Sequence, residues 1–410
     1  MNNPLVSVLI PSYQHEKYIR ATLESVLAQT FTDIEVVVVD DGSSDNSASI
    51  VASYRDSRIV LRQLYENVGA CQAMNVGLEM CRGQYIAVCN SDDVWVADKL
   101  EKQLQIFSSG TDVAAVFSDV EWIDDEGCWL GDHPGYQDVF RQANRSRFQW
   151  MRDLLEGGNR LCHPSVLIKR DVYDKVGLYN NFYRQLPDLD MWVRVLEHFD
   201  IFVMPERLVK FRVHQNNTSR PSQSASNRSI NEHRLILVDF MKRVSSDNFY
   251  KTFGFKELKS IGDPERLKIE IVNYLLEYRG IDVYERMFHQ LGTEIAMTVP
   301  PKTLIDNGIA AHDFHQMVGR DSPWIPVIVS TPVDASEGSI VKEQPAVVEQ
   351  LHDPQLVEPS QVPPKKLGPK KSGPKKLGPL VAETQTKTLI RIVLSRLRTR
   401  TRSYLSGNRD

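Results

Sequence analysis

An α/β fold on a mostly parallel, doubly wound sheet is what the first 120 residues predict, and three observations predict it. Apolar runs end in polar turns: residues 36–39 run into Asp40 and Asp41, and residues 85–89 run into Asn90, Ser91, Asp92 and Asp93. Segments of helical periodicity separate these runs. The runs are apolar throughout rather than alternating, which suits strands covered by helices on both faces. A βαβα order of this kind gives parallel strands joined by right-handed crossovers.

Residues 6–10 read as the first strand. Residues 16–28 read as an amphipathic helix with Ile19, Leu23, Val26 and Leu27 on one face. A strand over 34–39, a helix near 44–54, a strand over 59–63, a helix over 69–81 and a strand over 85–89 follow, then a helix over 99–107 and a strand over 113–118. Beyond 120 the alternation loosens. A helix is expected over 147–156 before the Gly157-Gly158 break, a strand over 165–169, a short helix after Asp171, a helix over 189–199, and two closing strands over 201–204 and 208–213. The pattern from 227 to about 291 is helical and reads as an appendage.

The tail has a different character. Residues 323–364 are rich in Pro, Val, Glu and Ser without a sustained period, the composition of a disordered linker. KKLGP, KKSGP and KKLGP then follow without a gap over 365–379, where a proline at every fifth position forbids a helix and leaves an extended basic tether. Residues 388–405 are helix-compatible, with Ile390, Val393, Leu394 and Leu397 on one face and arginines beside it. The expected division is therefore 1–220 (halves at about 1–120 and 121–220), a helical part over 221–320, a linker over 321–386 and a basic amphipathic end over 387–410.

The net charge of −4 conceals a polarity along the chain: residues 321–360 carry −6 and residues 361–410 carry +11, which leaves −9 for the first 320. No run approaches the roughly 18–20 apolar residues of a membrane helix, and the first strand begins too early for a signal peptide. The five cysteines lack metal-ligand spacing and are expected to be reduced thiols of a cytoplasmic protein.

Ligands of open α/β sheets bind outside the carboxyl ends of the strands, which is where both acidic turns fall. Clustered carboxylates repel one another unless a cation or a donor-rich ligand lies between them, and hard oxygen ligands suit Mg²⁺ or Mn²⁺ carrying a phosphate. Asp92 and Asp93 directly after a buried strand are the strongest such signal, with capping of the next helix as the competing role. Asp40 and Asp41 serve either a base or ribose or the following helix cap. Tyr13, just after Pro11 and Ser12, stands where a ring can stack on a base or merely cover the sheet edge. Downstream, His163 precedes a strand, Asp188 and Asp190 open a helix, and Arg212 and His214 close the last strand. Each has a plain structural alternative, a satisfied histidine or an N-cap.

Taken in order, VSVLIPSYQHEKYI, VVVVDDGSSD, ENVGACQAMNVGL, GQYIAVCNSDDVW, HPSVLIKRDVYDKVG, PDLDMWVRV and FRVHQNNTS resemble the family 2 glycosyltransferases over about residues 4–220. The resemblance implies the GT-A fold, a nucleotide-binding α/β sheet joined to an acceptor-binding part. It implies that Pro11, Tyr13 and Asp41 hold the base and ribose, that Asn90-Ser91-Asp92 occupies the Asp-x-Asp motif with Asp92 on the metal, that Asp188 is the catalytic base and that His214 lies near the diphosphate or metal. Two positions depart from the family pattern. Asn90 replaces the first acid, which keeps a hydrogen bond but loses charge, and Pro187 replaces the acid before the base.

The implied chemistry is inverting, metal-dependent transfer from a nucleotide-diphosphate sugar to a saccharide or lipid-linked acceptor, as in cell-surface polysaccharide synthesis. One tension is built in: a helix N-terminus stabilises a carboxylate as the anion and weakens it as a base, whereas desolvation strengthens it. A dehydrogenase would require G-x-G-x-x-G after the first strand, where PSYQHEKY stands instead. A catalytically degenerate scaffold working through the basic tail is the competing class. Residues 365–405 fit an anionic membrane surface, the inner face of a membrane, better than nucleic acid, since Tyr404 is the tail's one aromatic for stacking on bases.

Overall fold

The unbroken apolar run at 34–40 forms β2 (Ile34–Asp40), buried at every position. Around it the computed structural model places β1 (Val6–Ser12), α1 (Ile19–Leu27), α2 (Ser47–Ala52), β3 (Ile59–Gln63), α3 (Ala70–Met80), β4 (Tyr85–Val88), β5 (Val94–Trp95), α4 (Lys99–Ser108) and β6 (Ala115–Ile123). The second half supplies α5 (Arg147–Gly157), β7 (Leu167–Lys169), α6 (Asp171–Val176), α7 (Pro187–Leu196) and β8 (Ile201–Arg212). The helical part contains α8 (Gln223–Arg243), α9 (Ser246–Phe253), α10 (Pro264–Glu277), α11 (Asp282–Ala296) and α12 (Pro301–Asp306). The structure describes residues 3–131, 139–217, 222–254, 264–280 and 282–309, with single residues to 316. The expected linker, KKxGP tether and basic end lie outside the described residues.

The strands form one sheet in the order β3-β2-β1-β4-β7-β6-β8-β5. The first four are mutually parallel, with Val6 opposite both Ile34 and Tyr85. β7 runs antiparallel to β4 and β6, β8 runs parallel to β6, and β5 antiparallel to β8. The chain leaves β1 to one side for β2 and β3, then returns to the other side for β4. That reversal opens a crevice beyond the carboxyl ends of β1 and β4.

Side chains sort by the two-residue period of a strand. Leu9, Val37, Val39, Ile86 and Val88 share one apolar cluster, and Val8, Ile10, Val36, Val38 and Ala87 share the other with Ile19, Leu23 and Val26 of α1. The first cluster also contains Trp150 of α5, Trp192 of α7, and Phe240, Phe249, Tyr274 and Phe288 from the helical part. The helical part therefore shares the core of the sheet domain, and residues Met1–Pro323 form one compact unit. Among the described residues no helix is long and apolar enough to cross a membrane, and all five cysteines are free.

Three expectations need correction. The strand expected over 165–169 begins only at Leu167, because Pro164 turns His163–Ser165 into a 3-10 turn. The two closing strands are one, β8, which crosses exposed Pro205 and Glu206 by shifting register against β6 between Ser118 and Val120. The two-residue β5 was not expected; it is too short to leave a periodic signal.

Candidate functional site

The polar run after β2 builds a scaffold for the turn after β1. Gln14 has a left-handed backbone, φ 56°, which costs a non-glycine residue about 1–2 kcal/mol. Its N–H donates to Ser43 Oγ at 3.0 Å and its side chain to Ser44 Oγ at 2.8 Å. The His15 N–H donates to Ser47 Oγ at 2.9 Å, and the Glu16 N–H to Asp45 Oδ2 at 3.0 Å. These bonds fix His15 at the mouth of the crevice. Its Nδ1 lies 2.7 Å from Ser91 Oγ, across the gap between β1 and β4.

The turn after β4 is held from beneath by Thr22 of α1, whose hydroxyl reaches the carbonyls of Ser91 at 3.0 Å and Asp93 at 2.8 Å. Its two acids have different fates. Asp93 is buried and accepts from Asn90 Nδ2 at 3.0 Å and from the Arg212 N–H at 2.8 Å. Burial and the neighbouring Asp92 push its pKa up, and both its oxygens are engaged by the chain itself. Asp92 faces His214, with Oδ2 2.9 Å from Nε2, and Asn217 Nδ2 lies 3.3 Å from the same oxygen. One ligand atom each from His15, Asp92 and His214 lie within 4.8 Å of one another. Burial keeps His15 below its ordinary pKa and so neutral, the form that ligates a metal.

Arg212 is engaged by the chain itself. Its Nε donates to Asp92 O at 2.8 Å, its terminal nitrogen to the carbonyls of Asp124 and Asp125, and its guanidinium lies 5.0 Å from the Tyr18 ring centroid. It clamps the acidic turn from behind rather than presenting donors to a ligand.

At the end of β2, Asp41 accepts from Val68 N at 2.7 Å and Gly69 N at 3.0 Å, the entrance to α3. Both oxygens keep further lone pairs for a ligand. Asp40 turns inward, where Oδ1 accepts from Ser43 N at 3.0 Å and Oδ2 is buried without a partner. Gly42 lets this turn close: a Cβ there would meet Glu66 C at 2.6 Å, and φ is +68°. Tyr13 is 44% exposed beyond β1, and Pro11 is half-buried.

Asp188 lies in the first turn of α7, which begins at Pro187. Its Oδ2 accepts from Asn159 Nδ2 at 2.6 Å and its Oδ1 from Leu189 N at 2.8 Å. Those bonds favour the anion, yet burial outweighs them, and the charge on Glu232 adds to burial; the pKa rises to about 6. The contest between helix end and desolvation is decided for desolvation. Asp190 points away and forms a double contact with Arg194, at 3.1 and 2.7 Å, so it serves structure. His163 Nε2 lies 2.8 Å from the Tyr179 hydroxyl and burial lowers its pKa to about 4, the mark of a neutral structural histidine.

Sequence reasoning missed His15, Asn217 and Asn159. His15 stood within the quoted PSYQHEKY stretch, and its place one turn past β1 was the available signal; the two asparagines carry none.

The family model for glycosyl transferase family 2 matches residues 7–177. TuaG of Bacillus subtilis, a glycosyltransferase assigned provisionally to teichuronic acid biosynthesis, is 35% identical over 243 residues, 58% of this chain and 91% of that protein. An uncharacterized glycosyltransferase of Rickettsia typhi is 31% identical over 256 residues, 62% of this chain and 76% of that one. The crystal structure of Staphylococcus aureus TarS 1–349 with UDP-GlcNAc aligns over 76% of this chain and 87% of that one at 16% identity and a TM-score of 0.47, too loose a likeness for residue correspondences.

Proposed function

This chain belongs to glycosyl transferase family 2, and on that premise we propose that it moves a sugar, with inversion, from a nucleotide-diphosphate sugar to a hydroxyl of a saccharide or lipid-linked acceptor. The observation that carries this reading is a pair of carboxylates with different partners. Asp92 shares a cluster with two imidazoles, one ligand atom from each of His15, Asp92 and His214 lying within 4.8 Å of the others, while Asp188 is lifted by burial to about 6. Such a division assigns one to binding a cation and the other to proton transfer.

The donor set of His15, Asp92 and His214 fits a divalent cation. Ser91 on His15 Nδ1 supplies the outer partner that orients a ligating imidazole, and two nitrogens with one carboxylate favour Mn²⁺ over Mg²⁺. When bound, such an ion would neutralise charge on the departing nucleoside diphosphate. Tyr13 and Pro11 would flank the base, and Asp41 and Asn90 would accept from the nucleoside, Asn90 through its carbonyl because its amide is turned to Asp93. Asp188 Oδ1 or Oδ2 takes the proton from the acceptor hydroxyl as that oxygen attacks the anomeric carbon, and Asn159 holds the carboxylate in place. The likeness to TuaG supports an acceptor belonging to a cell-surface polymer.

A panel of nucleotide sugars tests the reading, each assayed with Mn²⁺ and with Mg²⁺ for release of nucleoside diphosphate. Metal-dependent release from at least one donor, lost in Asp92→Asn, is expected. Folded protein that releases nothing from any of them would overturn it.

A further inference from the structure

Helix α8 turns two adjacent buried side chains, Glu232 and His233, toward the elements that carry Asp188. The Glu232 carboxylate accepts from three successive backbone N–H groups: Oε1 from Arg184 at 3.0 Å, and Oε2 from Gln185 and Leu186 at 2.7 Å each. Those amides lead straight into α7. Its N-cap residue is Leu186, which offers no capping oxygen, and Pro187 follows. The N-cap amide of Leu186 and the two amides before it therefore find their anion on another helix. Converging amides of this kind form an anion-binding nest, filled here by the chain's own carboxylate. His233 Nε2 lies 2.8 Å from Leu155 O, just before the Gly157-Gly158 break that leads to Asn159. Neighbouring residues on one helix thus hold both the segment that carries Asp188 and the segment that carries its hydrogen-bond donor.

We propose that Glu232 is a positioning residue for Asp188: a carboxylate from the helical part that fixes the entry of α7 and, with it, the place and surroundings of the base. The proposal rests on the reading of Asp188 as the base. The titratable groups whose fields reach Asp188 are Glu232 from α8, Cys71 from α3 and Tyr179 from the segment between α6 and α7. Of these, Glu232 alone is a carboxylate, and it makes the amide contacts as well. Removing its charge and loosening the turn both act in one direction, toward an ordinary aspartate.

The test needs no substrate. In the full chain labelled with ¹³C at the aspartate carboxyls, the Asp188 signal is identified by its loss in Asp188→Asn and titrated. Glu232→Gln should lower its midpoint by a measurable fraction of a pH unit and speed hydrogen exchange of the amides at 184–186 by about tenfold or more. Glu232→Asp keeps the charge on a shorter arm; it should hold most of the midpoint while exchange still rises. A folded Glu232→Gln protein with both readouts unchanged overturns the proposal. If that variant does not fold, unchanged exchange at 184–186 in Glu232→Asp overturns it. An Asp188→Asn enzyme that still transfers sugar sinks the base reading instead and leaves the titration result standing.

Discussion

Asp188→Asn should make the protein less active and change its stability with pH: about 1 kcal/mol less stable than the native protein near pH 4, and level with it or up to about 1 kcal/mol more stable above pH 6. The structure raises this carboxyl from an ordinary value of 3.8 to about 6. At 1.36 kcal/mol per unit that is about 3 kcal/mol of destabilisation of the charged form. Asp188 is partly exposed, and solvent screening reduces the figure to about 1–2 kcal/mol. Because the folded pKa lies above the unfolded one, the folded state binds the extra proton between pH 4 and pH 6. The contribution of Asp188 is therefore most favourable below pH 4 and is lost as pH rises through 6. Asparagine never ionises and escapes this loss. It does forfeit one of the two hydrogen bonds to Asn159 and Leu189, about 1 kcal/mol at every pH. Urea unfolding of both proteins from pH 4 to pH 7.5 measures the difference. Relative to the native protein, the variant should gain about 1–2 kcal/mol across that window and then level off. A flat difference, or a gain that grows toward acid, would refute the claim that Asp188 is desolvated.

As the proposed base, the same carboxyl should set the acid limb of the reaction. With a pKa of about 6, the basic form falls about tenfold between pH 7 and pH 5, and kcat/KM for transfer should follow it. Asp188→Asn should lose about 10²–10⁴ in rate while donor affinity stays within a few-fold, since its partners Asn159 and Leu189 are not among the residues proposed to hold the donor.

Three further outcomes are expected. His15→Ala and His214→Ala should each weaken Mn²⁺ binding, followed by calorimetry, by at least the 10–100-fold typical of losing an outer-shell partner; unchanged Mn²⁺ affinity in both would remove the two-imidazole site. A chain ending at Pro323 should unfold at the temperature of the full chain, because residues Met1–Pro323 form one unit; an insoluble product would show that the tail is structural. Full-length protein should co-sediment with vesicles containing anionic lipid at low salt, at about 1 kcal/mol per basic residue near the surface, and lose this when 365–410 are deleted; equal sedimentation of both forms would exclude membrane recruitment by the tail.

The sheet was legible because its signals are local. Val36, Val37, Val38 and Val39 announce a strand buried on both faces, and Asp41 and Asp92 stand where parallel strands end. Elements set by tertiary contact were less legible. β5 exists because Val94 and Trp95 meet Lys210 and Val209 of β8, and no pattern in two residues encodes that. The bulge in β8 depends on β6 opposite. Among the site residues, His15 joins Asp92 only after two turns are tied together by Ser43, Ser44, Asp45 and Ser47.

Asn90 shows how a departure from the family pattern follows from its surroundings. An aspartate there would set a third carboxyl beside Asp93, with which Asn90 is now in hydrogen-bond contact at 3.0 Å. Burial and Asp92 already push the pKa of Asp93 up. The amide instead donates to Asp93, and Asp93 in turn accepts the N–H of Arg212, the residue that clamps the Asp92 carbonyl. The charge surrendered at position 90 thus secures the geometry at 92. Asp92 and Asp188 stood out as candidates because each lies in a local polar motif, whereas the contacts that hold their segments, from Arg212 to the Asp92 carbonyl and from Glu232 to the amides at 184–186, join distant parts of the chain.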